Sequence, residues 1–289
     1  MVAKKVKEKI VQNSPNAVLK FSIKSVVAIL IAMVFLFPIY WLVVTSLKTD
    51  VEIMGKTLTY FPKLISFDAW KEQFQDKAFL ISLRNSVIIA SLAMTISLTV
   101  GIPASYAMGR FNIPGKKLIL LTFLITQMMP SSLLLTPLYL IFAKVNLLNS
   151  FLAPAMAVAS GSIPFIIITL RPYFMNLSKT LDDAARIDGC NAFTSFLFIM
   201  LPTVKTGVIT VLTISFLQGW NDLVYSMTFN TSAYMRPLTA NIYKFMDKYG
   251  MRWNCIMAYG LVLVIPVVLA FIFLQKYIVG GMTAGAVKE

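Results

Sequence analysis

The sequence predicts an all-α polytopic membrane protein with six transmembrane helices and both termini on the cytoplasmic side. Three observations predict it. The apolar residues fall in blocks of about 20, the length that roughly 30 Å of hydrocarbon demands at about 1.5 Å per helical residue. Of the 289 residues only 13% are charged, against about 25% in a soluble domain, and the mean hydropathy is +0.77. The 26 lysines and arginines, set against 12 acids, mostly flank the apolar blocks.

A basic N-terminal tail, 1–25, carries Lys4, Lys5, Lys7, Lys9, Lys20 and Lys24. It is read as a topology signal with contact to anionic lipid. The first span, 26–46, is too long for a signal-peptide core, and no small-residue cleavage site follows it, so it is expected to remain as an anchor. The other spans are expected at 81–103, 118–142, 152–170, 204–227 and 256–279. Pro130 and Pro137 fall inside the third span and Pro266 inside the sixth. A bundle re-satisfies the freed backbone groups, so these prolines read as kinks. The membrane domain thus covers 26–279, and a short tail, 280–289, closes the chain.

Orientation follows from the basic residues in the connections. Arg110, Lys116 and Lys117 follow the second span. Arg171, Lys179, Arg186 and Lys205 follow the fourth. With the N-terminal lysines, Lys276 and Lys288, one face holds 15 of the 26. The other face holds 11 in longer loops that also carry Asp50, Glu52, Asp68, Glu72 and Asp76. The excess places both termini in the cytoplasm.

Composition excludes several classes. A net charge of +14 in a soluble chain would point to nucleic acid; here it is topological. With no histidine there is no Ser-His nucleophile, a zinc site is not expected, and no Cys/Asp/Glu cluster replaces one. Cys190 and Cys255 are expected in loops on opposite faces, too far apart for a disulfide. The chain has no internal repeat and no G-x-x-x-x-G-K-[ST] loop, so it is expected to bind no cofactor; ATP and Mg would sit on another chain.

The connection 171–205 is far longer than a simple turn requires. It reads as two short helices. Ser178 caps the first, with Asp182 and Asp183 early in it, where the helix dipole favours acids. Leu181, Ala184 and Asp188 share one face, and Gly189 ends the helix. Asn191 caps the second, whose apolar stripe is Phe193, Phe196, Leu197 and Met200, and Leu201-Pro202 closes it. The small face of Ala184, Ala185 and Gly189 suits close approach by a partner. An ordinary amphipathic pair lying on the membrane fits these residues equally well.

The run Leu181-Asp182-Asp183-Ala184-Ala185-Arg186-Ile187-Asp188-Gly189-Cys190, then Phe196 and Ile199-Met200-Leu201-Pro202, resembles the Glu-Ala-Ala loop of ABC importer permeases. Trp220-Asn221-Asp222, Arg236-Pro237-Leu238-Thr239 and the ending Gln275-Lys276-Tyr277 with Gly281-Met282-Thr283-Ala284-Gly285-Ala286-Val287-Lys288 are similar to the carbohydrate branch of that family. The sequence departs from the pattern where Asp183 replaces glutamate and Cys190 replaces alanine. The resemblance implies a bacterial plasma-membrane permease of a sugar importer. Its partners would be a second permease, an ATP-binding cassette ATPase dimer and an extracytoplasmic solute-binding protein. It implies that the 171–205 loop couples ATPase closure to gating. Ala184, Ala185 and Gly189 would provide fit there, and Asp183 and Asp188 polar contacts, with Asp182, Phe196, Leu201 and Pro202 belonging to the same coupling loop.

Trp220, Asn221 and Asp222 are candidates for a sugar pathway, a gate or the contact with the paired permease; Asp222 also reads as a solvated helix end. Gln127, Ser131 and Ser132 near Pro130 are weaker pathway candidates than helix-to-helix hydrogen-bonding groups. Trp70, Tyr249 and Trp253 read as interfacial anchors before contacts to a binding protein. Three rivals stand beside the importer of sugars: an ABC importer of another solute, an ion-driven carrier and a membrane-embedded enzyme. The third lacks clustered carboxylates in the spans. The second would show paired broken helices and buried ionisable groups in matching halves.

Overall fold

The computed structural model describes residues 15–247 and 250–286. Lys4, Lys5, Lys7, Lys9, Tyr249 and Lys288 lie outside the described residues. In chain order the helices are α1 (Pro15–Ser46), α2 (Asp68–Gln75), α3 (Lys77–Arg110), α4 (Lys116–Met128), α5 (Leu135–Lys144), α6 (Leu152–Met175), α7 (Lys179–Ile187), α8 (Ala192–Thr203), α9 (Lys205–Trp220), α10 (Val224–Phe229) and α11 (Trp253–Ala286). Short turns join them, and two two-residue strands, Met246–Asp247 and Gly250–Met251, are the β-structure among the described residues.

Among the described residues four helices, α1, α3, α6 and α11, are long and apolar enough to cross a membrane. Two bent pairs raise the number to as many as six: α4 with α5, at 100°, and α8 with α9, at 85°. The third expected span, 118–142, is therefore not one straight helix. Met129 is extended (φ −79°, ψ 130°), the conformation a following proline imposes. A 3₁₀ turn, Ser131–Leu134, restarts the chain, and Pro137 sits in the first turn of α5, where its missing N–H costs nothing. The fifth expected span, 204–227, also divides: α9 ends at Trp220 and α10 begins at Val224. Cys255, expected in a loop, lies in the first turn of α11 and is fully buried.

The chain forms two compact units. One comprises residues 15–71 and 250–261. In it Val44, Cys255, Ala258 and Tyr259 are buried, while α1 exposes its apolar side chains over most of its length. The loop after α1 folds back on it: Ser66 N–H donates to the Leu47 carbonyl (2.9 Å) and Trp70 Nε1 to Ser46 Oγ (3.3 Å).

The other unit comprises residues 72–247 and 262–286. Its core is α3, α6 and α9, packed together through Ile102, Tyr106, Ile166, Leu170, Phe174 and Val211. A second cluster joins Ala93 of α3 and Ala155 and Val158 of α6 to Phe142, Tyr225 and Phe229. Helices meet through small residues, as in other membrane bundles. At Gly219 a Cβ would lie 2.7 Å from the Ala90 Cα, so α9 touches the α3 backbone there.

Candidate functional site

The 171–205 segment is built by local chemistry. Ser178 Oγ accepts the Thr180 N–H (3.2 Å) and starts α7. The helix ends in a Schellman arrangement: Cys190 N–H donates to the Ala185 carbonyl (2.9 Å) and Gly189 N–H to that of Arg186 (3.1 Å). Gly189 has φ +77°, a conformation that only glycine adopts freely. Asn191 Oδ1 then accepts the Thr194 N–H (2.9 Å) and starts α8.

A polar tie joins helix α7 to the membrane helices. Arg110, the last residue of α3, pairs with Asp182; their side chains are 8% and 29% exposed. The same guanidinium donates to the carbonyls of Leu177 (2.8 Å), Ser178 (3.2 Å) and Phe174 (3.4 Å). In return, Arg171 of α6 donates from Nε to the Met108 carbonyl near the end of α3 (3.3 Å). Each helix thus has its negative C-terminal end capped by an arginine from the other.

The two faces of α7 differ. Leu181 packs on the α3–α6 core and Ala185 is 1% exposed. Ala185 was expected on the docking face; it faces inward, where the i, i+4 spacing from Leu181 places it. Asp183, Ala184, Asp188 and Gly189 are exposed, and Asp183 makes no ion pair among the described residues. Ile187 is 86% exposed, an apolar side chain in open solvent at the tip. Beside α7 lies a cleft of about 460 Å³ lined by Tyr106, Arg110, Asp182, Asp183, Arg186 and Asn191, among others.

Helix α8 widens to a π-helix over Phe196–Met200. Phe196 and Met200 are buried in the core with Leu197 against them, whereas Phe193 is 68% exposed and leaves the expected stripe. Leu201 is half-buried and Pro202 exposed. The wider turn changes the angular spacing, so a regular 3.6-residue stripe does not hold across it.

The pathway candidates take structural positions. Trp220 is 2% exposed; its Nε1 donates to the Leu263 carbonyl (3.1 Å) and its ring stacks on Phe216. In this conformation the indole offers no open face to a sugar. Asp222 caps α10: its carboxylate accepts from Ser226 N–H (2.8 Å), Ser226 Oγ (2.7 Å) and Tyr225 N–H (3.3 Å). Asn221 is exposed. Gln127 donates to the Gly161 carbonyl of α6 (2.7 Å), the helix-to-helix bond expected as its alternative role. Ser131 is exposed, with its carbonyl accepting from the Tyr225 hydroxyl (3.4 Å).

Sequence reasoning missed the polar seam of α3. Asn85 is fully buried and donates to the carbonyls of Tyr234 (2.7 Å) and Arg236 (3.1 Å). Ser86 accepts the Leu238 N–H (2.8 Å), and Ser82 bonds Asn241. These side chains pin the loop that follows α10. Three polar residues on the buried face of an apolar helix were the available signal. On α6, Ser162 pairs with Gln218 of α9.

Residues 101–284 match the family model described as binding-protein-dependent transport system inner membrane component. The trehalose/maltose transport system permease protein of Thermococcus litoralis is 30% identical, over 94% of this chain and 98% of the relative. The sulfoquinovosyl glycerol transport system permease protein of Agrobacterium fabrum is 30% identical, over 88% and 89%. The diacetylchitobiose uptake system permease protein of Streptomyces coelicolor is 28% identical, over 91% and 96%. Among solved structures, a chain of a bacterial ABC transporter that imports the acidic polysaccharide alginate superposes with a TM-score of 0.79 at 21% identity, over 91% of this chain and 98% of that one.

Proposed function

Because the chain belongs to the family of binding-protein-dependent transport system inner membrane components, we propose that it is a permease subunit of an ATP-driven importer whose solute is a sugar. The observation that carries the solute class is the near full-length likeness to permeases of several sugar systems. Both termini face the cytoplasm, as the lysine and arginine bias supports. The α7–α8 segment then faces the cytoplasm too, within reach of an ATPase.

In this reading Asp183, Ala184, Ile187, Asp188 and Gly189 form the tip that enters a cleft on the ATPase partner. The tip suits that role because it couples small size at Ala184 and Gly189 with exposed apolar surface at Ile187. Force on the tip passes through Asp182 to Arg110, and so to the ends of α3 and α6 together. Leu201 and Pro202 carry the same push into the bend between α8 and α9. Closure of the ATPase dimer thereby reaches the three helices of the core. ATP and Mg stay on the ATPase, a second permease completes the pathway, and a solute-binding protein delivers sugar from outside.

The test is co-purification in detergent of wild type and Gly189→Arg, followed by ATPase and sugar-uptake assays. The expected result is that wild type brings down an ATPase and a second permease, and that the substitution loses the ATPase while keeping the second permease. An intact preparation that carries no ATPase in either form would refute the reading and favour an ion-driven carrier.

A further inference from the structure

The first unit holds a cavity of about 430 Å³ where α1 ends and α11 begins. Two indoles, Trp41 and Trp253, line it with Met257; Thr45, Lys48 and Glu52 supply inner polar groups, and Lys56, Thr57 and Thr59 border it as well. Mostly apolar walls with a few fixed polar groups are the make-up of a ligand pocket of ordinary size.

Its polar groups are incompletely used. Lys48 is only 4% exposed. An ammonium has three donors; one goes to the Thr59 carbonyl, and the head lies 4.8 Å from the centre of the Trp41 ring. Lys48 makes no ion pair among the described residues. The Glu52 carboxylate attracts it without a direct ion pair, and a buried ammonium with few direct partners is costly, so an anionic atom would complete it. The Thr45 hydroxyl, also buried, has no hydrogen-bond partner among the described residues.

Glu52 is held on the same wall. It accepts the Thr59 hydroxyl (2.6 Å) and the Lys63 N–H on both oxygens (3.1 Å each). The Thr59 hydrogen bond, more than any other contact, holds its carboxyl below the usual range, and Lys48 acts in the same direction. The pocket therefore presents a cation and a carboxylate side by side against aromatic rings.

Its position narrows the occupant. Helix α1 runs up to it as an apolar rod: Val26, Leu30, Val34 and Phe37 are all about half exposed or more. Tyr40, Trp41, Tyr60 and Trp253 gather where this rod ends, the composition of a membrane–water boundary. A ligand with an anion, a cation and a long apolar extension fits both the pocket and the rod.

We propose that this pocket binds the headgroup of a zwitterionic phospholipid. The phosphate lies on Lys48 and Thr45, the ammonium lies between Glu52 and the indoles, and the acyl chains run down the apolar face of α1. The inference needs only the membrane setting and is independent of the solute carried.

The test is native mass spectrometry of the purified transport complex in detergent containing phosphatidylethanolamine, phosphatidylglycerol or free phosphoethanolamine. Wild type is expected to retain one phosphatidylethanolamine per copy of this chain. Lys48→Met is expected to lower that retention roughly tenfold, the loss of one charge-assisted contact. Glu52→Gln is expected to lower retention of phosphatidylethanolamine and spare phosphatidylglycerol. Equal retention by wild type and both variants overturns the proposal. So does a preference for phosphatidylglycerol in wild type, or binding of free phosphoethanolamine as tight as that of the lipid. The lipid-free melting temperature reports whether Lys48→Met folds; if it does not, Glu52→Gln carries the test.

Discussion

Arg110 and Asp182 join the last turn of one membrane helix to the first turns of the loop helix α7, and the same guanidinium caps three carbonyls around the end of α6. Removing it should weaken transmission more than assembly. For Arg110→Gln we expect a complex that still hydrolyses ATP, with sugar uptake per ATP down about tenfold, equivalent to ~1.4 kcal/mol. Arg110→Lys should not restore it, because an ammonium cannot span the fork of acceptors. Equal coupling ratios in wild type and both variants would remove Arg110 from the force path.

The contact of Gly219 with the Ala90 backbone leaves no room for a methyl group. Gly219→Ala should destabilise the bundle by about 1–3 kcal/mol, the usual range for overpacking. Gly161→Ala is the matched control, since nothing lies within 4 Å of its added carbon. Melting temperatures of the two variants in one detergent should separate clearly.

Asp222 works here as a helix cap. Asp222→Ser should keep both stability and uptake, whereas Asp222→Ala should cost about 1 kcal/mol of stability. If serine abolishes uptake without lowering the melting temperature, the carboxylate has a role in the pathway that capping does not explain.

Asp76, just ahead of α3, caps that helix through the Ala78 N–H (2.8 Å) and pairs with Lys244 in the loop after α10. Burial pushes its carboxyl up, but the Lys244 and backbone hydrogen bonds together outweigh this and hold it below the usual range. A folded-state pKa lowered in this way gives stability that is present above the unfolded value, about 3.9, and lost as pH falls through the folded value. Hydrogen exchange in 238–245 should therefore quicken on acidification below about pH 4. Asp76→Asn should exchange faster at neutral pH and respond less to acid.

Short-range chemistry was legible in the sequence. Ser178, Gly189 and Asn191 act within a turn of their own positions, so residue type alone predicted both caps and the break between α7 and α8. Four of the six expected apolar blocks correspond to long helices, because block length is itself the physical requirement. Pro130 was visible, but its consequence was not: a proline fixes its own φ and its neighbour, while the 100° bend also depends on the turn that follows. Arg110 read only as a topological charge, since its acceptors lie more than 60 residues away. Trp220 read as a pathway group because its partner, the Leu263 carbonyl, lies 43 residues away, whereas Asp222 caps α10 through Tyr225 and Ser226, three and four residues on, a local signal that the reading of 204–227 as one span obscured.

The seam that pins the loop after α10 has a consequence for biogenesis. Ser82, Asn85 and Ser86 meet partners that lie 149 to 159 residues later in the chain. A ribosome adding about 5–20 residues per second takes roughly 8–30 s to make that stretch. During that interval α3 enters the bilayer with three polar groups whose tertiary partners do not yet exist, although the Ser82 hydroxyl already donates to the Ala78 carbonyl of its own helix (2.8 Å). The nascent helix must hold them at the insertion channel, in the headgroup layer or on a membrane chaperone until the C-terminal third arrives.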